Sequence, residues 1–176
     1  MAEIKDPENT ILMETTKGNV VIELFPELAP GHVARIKELT REGAYDGVVF
    51  HRVIDGFMAQ TGDVQYGKSG SSSFNPGRAG MGGSDKPDLK AEFSNMNHGR
   101  GTCSMARAQN PNSANSQFFI CFDDASFLNN KYTVVGDVVS GMDVVDKLKK
   151  APAGSRSGTV TDPDKMLKVQ VASDIK

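Results

Sequence analysis

The run Val49-Phe50-His51-Arg52-Val53-Ile54-Asp55-Gly56-Phe57-Met58-Ala59-Gln60-Thr61-Gly62-Asp63 sets the terms for the rest of the chain. It belongs to a strand-like stretch, Val48–Ile54, that breaks at Asp55-Gly56 and resumes over Phe57–Gln60. Asp-Gly between two apolar, alternating runs is a turn signal and predicts a hairpin. Arg52 lies inside the apolar run, and Phe57, Met58 and Gln60 follow it closely. One cation, one amide and two large soft apolar groups on one face of a sheet have the composition of a ligand site, with mostly apolar walls and a few placed polar groups. The plainer alternative is an arginine on the solvent face and Phe and Met in the core.

Working outward, Ile11–Thr15 and Asn19–Leu24 flank Lys17-Gly18 as a second hairpin. Val33, Ile36 and Leu39 recur at helical spacing, predicting a helix over Pro30–Glu42 that stops at Gly43, with His32 as a surface residue. Val64–Lys90 is rich in Gly and Ser, and so long an irregular segment inside a compact domain predicts a functional or mobile loop. Ala91–Phe93 is a candidate to rejoin the sheet. Strands are expected over Thr102–Arg107, Ser116–Phe122, Thr133–Val139 and Met166–Val171. A second helix is expected over Gly141–Ala151, with Met142, Val145 and Leu148 on one face, Pro152 ending it and Lys147–Lys150 as its solvated end. Many short strands and only two helices point to a closed antiparallel barrel, which removes exposed edges.

At 176 residues the chain has the size of a single domain, 1–176, with its core over about 11–171. A formal net charge of −2 gives no general attraction to nucleic acid or acidic membrane. The first residues have no apolar core of the signal-peptide kind, and no run approaches a bilayer span. The two cysteines, Cys103 and Cys121, fit no CxxC spacing and are expected as reduced thiols in a cytoplasmic protein. His32, His51 and His98 show no zinc-ligand spacing, so no metal is expected.

Two stretches, Phe50–Asp63 and the pair Ser104-Met105-Ala106-Arg107-Ala108 and Asn115-Ser116-Gln117-Phe118-Phe119-Ile120-Cys121, resemble the cyclophilin family of peptidyl-prolyl isomerases. The resemblance runs from about Ile11 to Val171. It implies eight strands closed into a barrel, the helices capping its ends, and a groove on the outer wall. It also implies an enzyme without cofactor or metal, acting on X–Pro bonds of peptides and partly folded chains as a folding helper or chaperone. Rotation about such a bond must break amide resonance, a barrier of about 18–20 kcal/mol. No bond is cleaved, so the site needs no nucleophile. It needs complementarity to the twisted amide, through an apolar grip on the proline ring and a donor aimed at the prolyl nitrogen.

By that resemblance Arg52 is the donor, with Phe57 and Gln60 completing the catalytic set. Met58, Phe119 and Leu128 join Phe57 in the proline pocket, Gln60 holds a neighbouring peptide carbonyl, and Ala106 and Arg107 pair with the substrate through their backbones. Gln117, Phe127 and Tyr132 also belong to the substrate-binding set. For Gln60 and Gln117 the alternative is satisfaction of backbone groups, and for Phe127 and Tyr132 packing at the barrel end. Three positions depart from the common pattern. Phe127 stands where many relatives have Trp and lacks the indole N–H, which suggests weak cyclosporin binding. Tyr132 stands where many have His. Arg107 replaces the more usual Asn, which bears on residues N-terminal to proline, acidic or aromatic. A non-catalytic proline-motif binding module is the rival reading, and a small-ligand carrier with an empty barrel a third. A monomer is the default.

Overall fold

The computed structural model describes residues 4–175. Eight strands form one antiparallel sheet: β1 (Thr10–Thr15), β2 (Gly18–Leu24), β3 (Arg52–Ile54), β4 (Met58–Thr61), β5 (Thr102–Met105), β6 (Phe118–Cys121), β7 (Val134–Ser140) and β8 (Met166–Val171). Their spatial order is β3-β4-β6-β5-β7-β2-β1-β8. Two helices, α1 (Pro30–Arg41) and α2 (Met142–Asp146), accompany it.

The sheet curls but does not close, which corrects the expected closed barrel. No ladder joins the edge strands β3 and β8. Across the gap only isolated bonds run, among them Phe50 N–H to Asp164 O at 2.8 Å and Val53 N–H to Gly158 O at 3.0 Å. The chain opposite β3 is the segment 152–165, and it cannot extend a ladder. It contains Pro152 and Pro163, and Gly154, Gly158 and Asp162 have positive φ.

The concave face is filled. Ile11, Met13, Ile22, Tyr45, Phe50, Phe118, Ile120 and Met166 are almost fully buried there with Val33, Ile36 and Leu39 of α1. The residual cavity between α1 and the sheet holds about 10 Å³, less than one water, so an empty carrier interior is ruled out. Both cysteines are free and buried. No helix among the described residues is long and apolar enough to cross a membrane.

Several local expectations change. α2 spans five residues, not eleven, because the amides that would continue it bond elsewhere: Lys149 N–H to Asp164 Oδ2 at 2.7 Å and Ala151 N–H to Val53 O at 2.8 Å. Within Lys147–Lys150, Lys147 and Lys149 are exposed as expected, while the Lys150 ammonium folds back on the Asp146 and Leu148 carbonyls. Ala91–Phe93 stays irregular, with Glu92 N–H bonded to the Thr133 hydroxyl instead of a strand. His32, expected on the surface, is fully buried at the start of α1. Ala29 offers no capping side chain, and Glu92 caps the helix from a distance, accepting from Gly31 N–H at 3.2 Å and from the backbone and ring nitrogens of His32 at 2.9 and 2.5 Å. At the other end of α1 the Lys68 ammonium bonds three carbonyls, those of Gly43, Ala44 and Asp46, at 2.6–3.2 Å.

These contacts set two stability expectations. Lys68→Met strands the Ala44 and Asp46 carbonyls and leaves Gly43 O with the Asp46 N–H alone, and is expected to lower unfolding free energy by about 2 kcal/mol, read as a lower urea midpoint at unchanged slope. The second concerns acid. His32, His51 and His98 are all buried, and burial lowers the pKa of each, that of His51 to about 4. A base whose folded pKa is depressed resists a proton that the unfolded chain accepts. Stability is therefore intact above pH 6.5 and falls as pH drops toward 4, with His51 alone responsible for about 3 kcal/mol. Urea titrations across this window should show the fall, and His51→Gln should flatten it; equal slopes in the two proteins would contradict the assignment.

Candidate active site on the convex face

Strand register assembles the site. Arg52 is opposite Gln60 in β3–β4, Gln60 opposite Phe119 in β4–β6, and Phe119 opposite Ser104 in β5–β6. Side chains alternate faces along a strand, so these residues share the convex face while Val53, Ala59, Phe118 and Ile120 point into the core. The next row, Ile54–Met58–Cys121, adds apolar floor. The hairpin between β3 and β4 is tightened by Phe57 N–H to Ile54 O at 3.0 Å, with Gly56 at φ 76°. Phe57 thus sits in the turn, one residue before β4, at the lip of the floor.

A cleft of about 360 Å³ opens over these rows. Of the residues expected at the site, Arg52, Phe57, Met58, Gln60 and Phe119 line it together with Ala106, Arg107, Leu128 and Tyr132. Gln117 lines an adjoining cleft of about 520 Å³ that shares Gln60, Gly80, Ala106 and Arg107 with this one. Phe127 lines neither; it is 62% exposed, leaning on Phe57 at 5.6 Å between ring centroids. His51, Ala79, Gly80, Ser157 and Thr159 also line the cleft, and no side-chain pattern in the sequence singled them out.

Arg52 is half-buried and fixed by two bonds, Nε–H to Ser157 O at 3.0 Å and Nη1–H to Gln60 Oε1 at 3.1 Å. Among the described residues its Nη2 has no partner. Burial lowers its pKa, opposed by the neighbouring Tyr132, yet a guanidinium keeps its charge across the physiological range. Beside it both ring nitrogens of His51 are buried and, among the described residues, without a hydrogen-bond partner. Burial holds that ring neutral, against the pull of Asp63.

From Arg52 a relay of amides runs to the far wall. Gln60 Nε2 donates to Gln117 Oε1 at 2.9 Å, and Gln117 Nε2 donates to the carbonyls of Gly80 and Gly82 at 2.9 and 2.8 Å. The same strap is held from its other side by the fully buried Asp63, whose Oδ2 accepts from Gly80 and Gly82 N–H at 2.8 and 2.9 Å. Its Oδ1 accepts from Gln65 and Tyr66 N–H. A Cβ on Gly82 would stand 2.5 Å from Asp63 Oδ1, so only glycine fits there. The Gly/Ser-rich loop is therefore pinned at the cleft.

The opposite wall is aromatic. Phe119 meets Tyr132 edge-to-face at 5.8 Å, and the Arg107 guanidinium lies over the Tyr132 ring at 4.7 Å. Arg107 is itself anchored on the carbonyls of Lys131, Ala108 and Gln109. The Ala106 N–H is already bonded to Gln117 O at 3.0 Å, so a backbone pairing at this edge falls to the Ala106 carbonyl and the Arg107 N–H, neither of which has a partner among the described residues. No group of three or more His, Cys, Asp and Glu side chains able to hold a metal ion is gathered among those residues. An apolar floor, a fixed cation at its edge and unpaired backbone groups alongside can grip a small apolar ring and polarise a neighbouring amide.

Comparison with known proteins agrees. Residues 10–171 match the family described as cyclophilin type peptidyl-prolyl cis-trans isomerase/CLD. A probable peptidyl-prolyl cis-trans isomerase of Brucella suis is 59% identical over 99% of this chain and 88% of its own length. Peptidyl-prolyl cis-trans isomerase B of Escherichia coli is 38% identical over 88% of this chain and 92% of its own. Among solved structures, a cyclophilin from Hirschia baltica superposes with a TM-score of 0.81 at 30% identity, covering 97% of this chain and 76% of that one. A Cryptosporidium parvum cyclophilin, crystallised in the presence of the dipeptide Ala-Pro, gives 0.78 at 26% identity, covering 94% and 99%. With the fold, the outer-wall cleft and both motifs in agreement, the chain belongs to the cyclophilin-type peptidyl-prolyl cis-trans isomerases.

Proposed function

We infer that this chain accelerates X–Pro rotation in peptides and partly folded proteins by seating the proline ring on Met58, Phe119 and Leu128 beneath Phe57, with Arg52 donating to the prolyl nitrogen. The observation that carries this reading is the Arg52 guanidinium, tied by Nε and Nη1 and, among the described residues, left with Nη2 unpaired at the edge of the apolar floor. As the amide twists, its nitrogen lone pair localises and becomes an acceptor. A donor already held in place favours that state over the planar ground state. Lowering the barrier by about 7 kcal/mol corresponds to roughly 10⁵-fold in rate. Gln60 holds Arg52 and presents its remaining N–H to the peptide carbonyl beside the proline. The Ala106 carbonyl and Arg107 N–H pair with the substrate backbone.

Phe127 enters this reading only at the rim, exposed and without an indole N–H, which supports weak cyclosporin binding. A monomer in the cytoplasm also belongs to it, and the two buried free thiols suit a reducing compartment. A binding module without catalysis would use the same floor but would gain nothing from a fixed donor beside it.

NMR exchange spectroscopy on a short Ala-Pro peptide tests the mechanism. Wild-type protein should catalyse exchange, and Arg52→Ala should lose about 10²–10³-fold. Peptide binding without faster exchange would leave the binding module. Full catalysis by Arg52→Ala would remove the donor from the mechanism. Arg107 gives a narrower expectation. Its cation over Tyr132 favours an acidic or aromatic residue before proline, so Arg107→Asn should cut the Glu-Pro to Ala-Pro ratio of kcat/KM by about two- to fivefold, the size of an exposed ion pair. An unchanged ratio would remove it as a selector.

A further inference from the structure

Behind Phe119 lies a hydrogen-bond chain that is one proton short. It starts at the exposed Asp124 carboxylate, which accepts from Asn97 Nδ2 at 3.2 Å. That bond fixes the Asn97 amide, so its Oδ1 accepts from Asn129 Nδ2 at 2.8 Å. Asn129 is thereby oriented with Oδ1 toward His98, where it accepts the His98 backbone N–H at 2.9 Å and lies 2.9 Å from Nδ1. An acceptor in that place requires the ring proton on Nδ1. On the other side Nε2 lies 2.9 Å from Ser104 Oγ, and Ser104 Oγ lies 2.9 Å from the Thr133 carbonyl, which also accepts Met105 N–H.

Three contacts thus run between two acceptor-only ends, Asn129 Oδ1 and Thr133 O. A neutral imidazole brings one proton and the serine hydroxyl another. Only an imidazolium would fill all three. Burial holds the ring neutral, opposed by the Asn129 bond alone. The groups against it, Asn129, Ser104 and the Phe119 ring, carry no charge. The single Ser104 proton is therefore shared between His98 Nε2 and Thr133 O, and one of these contacts is always lone pair against lone pair.

His98 and Ser104 are both fully buried, and the histidine ring stacks on Phe119 at 6.3 Å with 19° between planes. Ser104 is the cross-strand partner of the same phenylalanine. Phe119 is wedged between His98 on one side and Tyr132 on the other. We propose that His98 is a positioning residue for the proline pocket, held as the Nδ1–H tautomer, which sets the seat of Phe119 through its stacked face and the proton it draws from Ser104. The inference rests on the reading of Phe119 as a pocket wall. It differs from simple core packing, which would be served equally by either tautomer.

Two readouts on the intact protein test it. Long-range proton–nitrogen spectra of the ring-¹⁵N-histidine protein at pH 8 should show His98 protonated at Nδ1. Ser104→Ala removes the only donor to Nε2. It should move the Nε2 and Phe119 ring resonances together while Met166 and Val169, on the far side of the sheet, stay in place, and should slow catalysed Ala-Pro exchange by about tenfold. A ring protonated at Nε2 instead, or Phe119 resonances unmoved in Ser104→Ala, would overturn the proposal. Wild-type protein that catalyses no exchange would overturn the isomerase reading instead, and the tautomer result would then stand by itself.

Discussion

Three ladders meet in one row, in which Arg52 faces Gln60, Gln60 faces Phe119 and Phe119 faces Ser104. The site exists because these pairings are in register. Because side chains alternate with a period of two, a slip of one residue in β3 would turn Arg52 toward the core and Val53 toward the cleft. That slip would bury an unpaired guanidinium, a cost far above that of an exposed valine. The hydrophobic pattern that fills the concave face is thus the same constraint that keeps the cation on the convex one. Neither can be altered without the other.

The row needs a second wall, and the chain supplies it from the Gly/Ser-rich loop. Asp63 takes the N–H groups of Gly80 and Gly82 while Gln117 takes their carbonyls, so the strap is held at both edges of its backbone. A carboxylate with four backbone donors keeps its buried charge satisfied, which an isolated one could not. Gln117 also receives Gln60, and Gln60 receives Arg52. The guanidinium is therefore oriented by contacts reaching across the cleft to the strap, and the site is preorganised before any peptide arrives.

Much of this was legible in local sequence. Alternation and Asp55-Gly56 fixed the hairpin that carries Arg52, Met58 and Gln60, and helical spacing at Val33, Ile36 and Leu39 placed α1. What escaped depends on distant partners. α2 ends early because Lys149 and Ala151 give their amides to Asp164 and Val53. His32 is buried because Glu92, sixty residues on, covers the start of α1. The closed barrel failed at the segment 152–165, where two prolines and positive φ values interrupt the edge. At the site, Gly80 and Ser157 contribute backbone, which leaves no side-chain signature. Gln117 carried a recognisable side chain, but only the fold shows that it also braces the strap through Gly80 and Gly82.

Isomerisation asks little of proton chemistry, and the polar groups of this cleft fit that demand. Arg52 keeps its charge despite burial, and His51 beside it is held neutral. An amide seated as proposed would therefore meet a fixed cation and fixed dipoles. In the proposed mechanism the rate depends on where the proline ring sits relative to Nη2 of Arg52, and the ring's seat depends on Phe119. Phe119 has no polar atom of its own, so its placement is decided by the groups packed on its faces. Tyr132, itself under the Arg107 guanidinium, meets it from the solvent side, and His98 from the interior. The polar atoms proposed to govern the pocket's shape thus lie one layer behind its apolar surface.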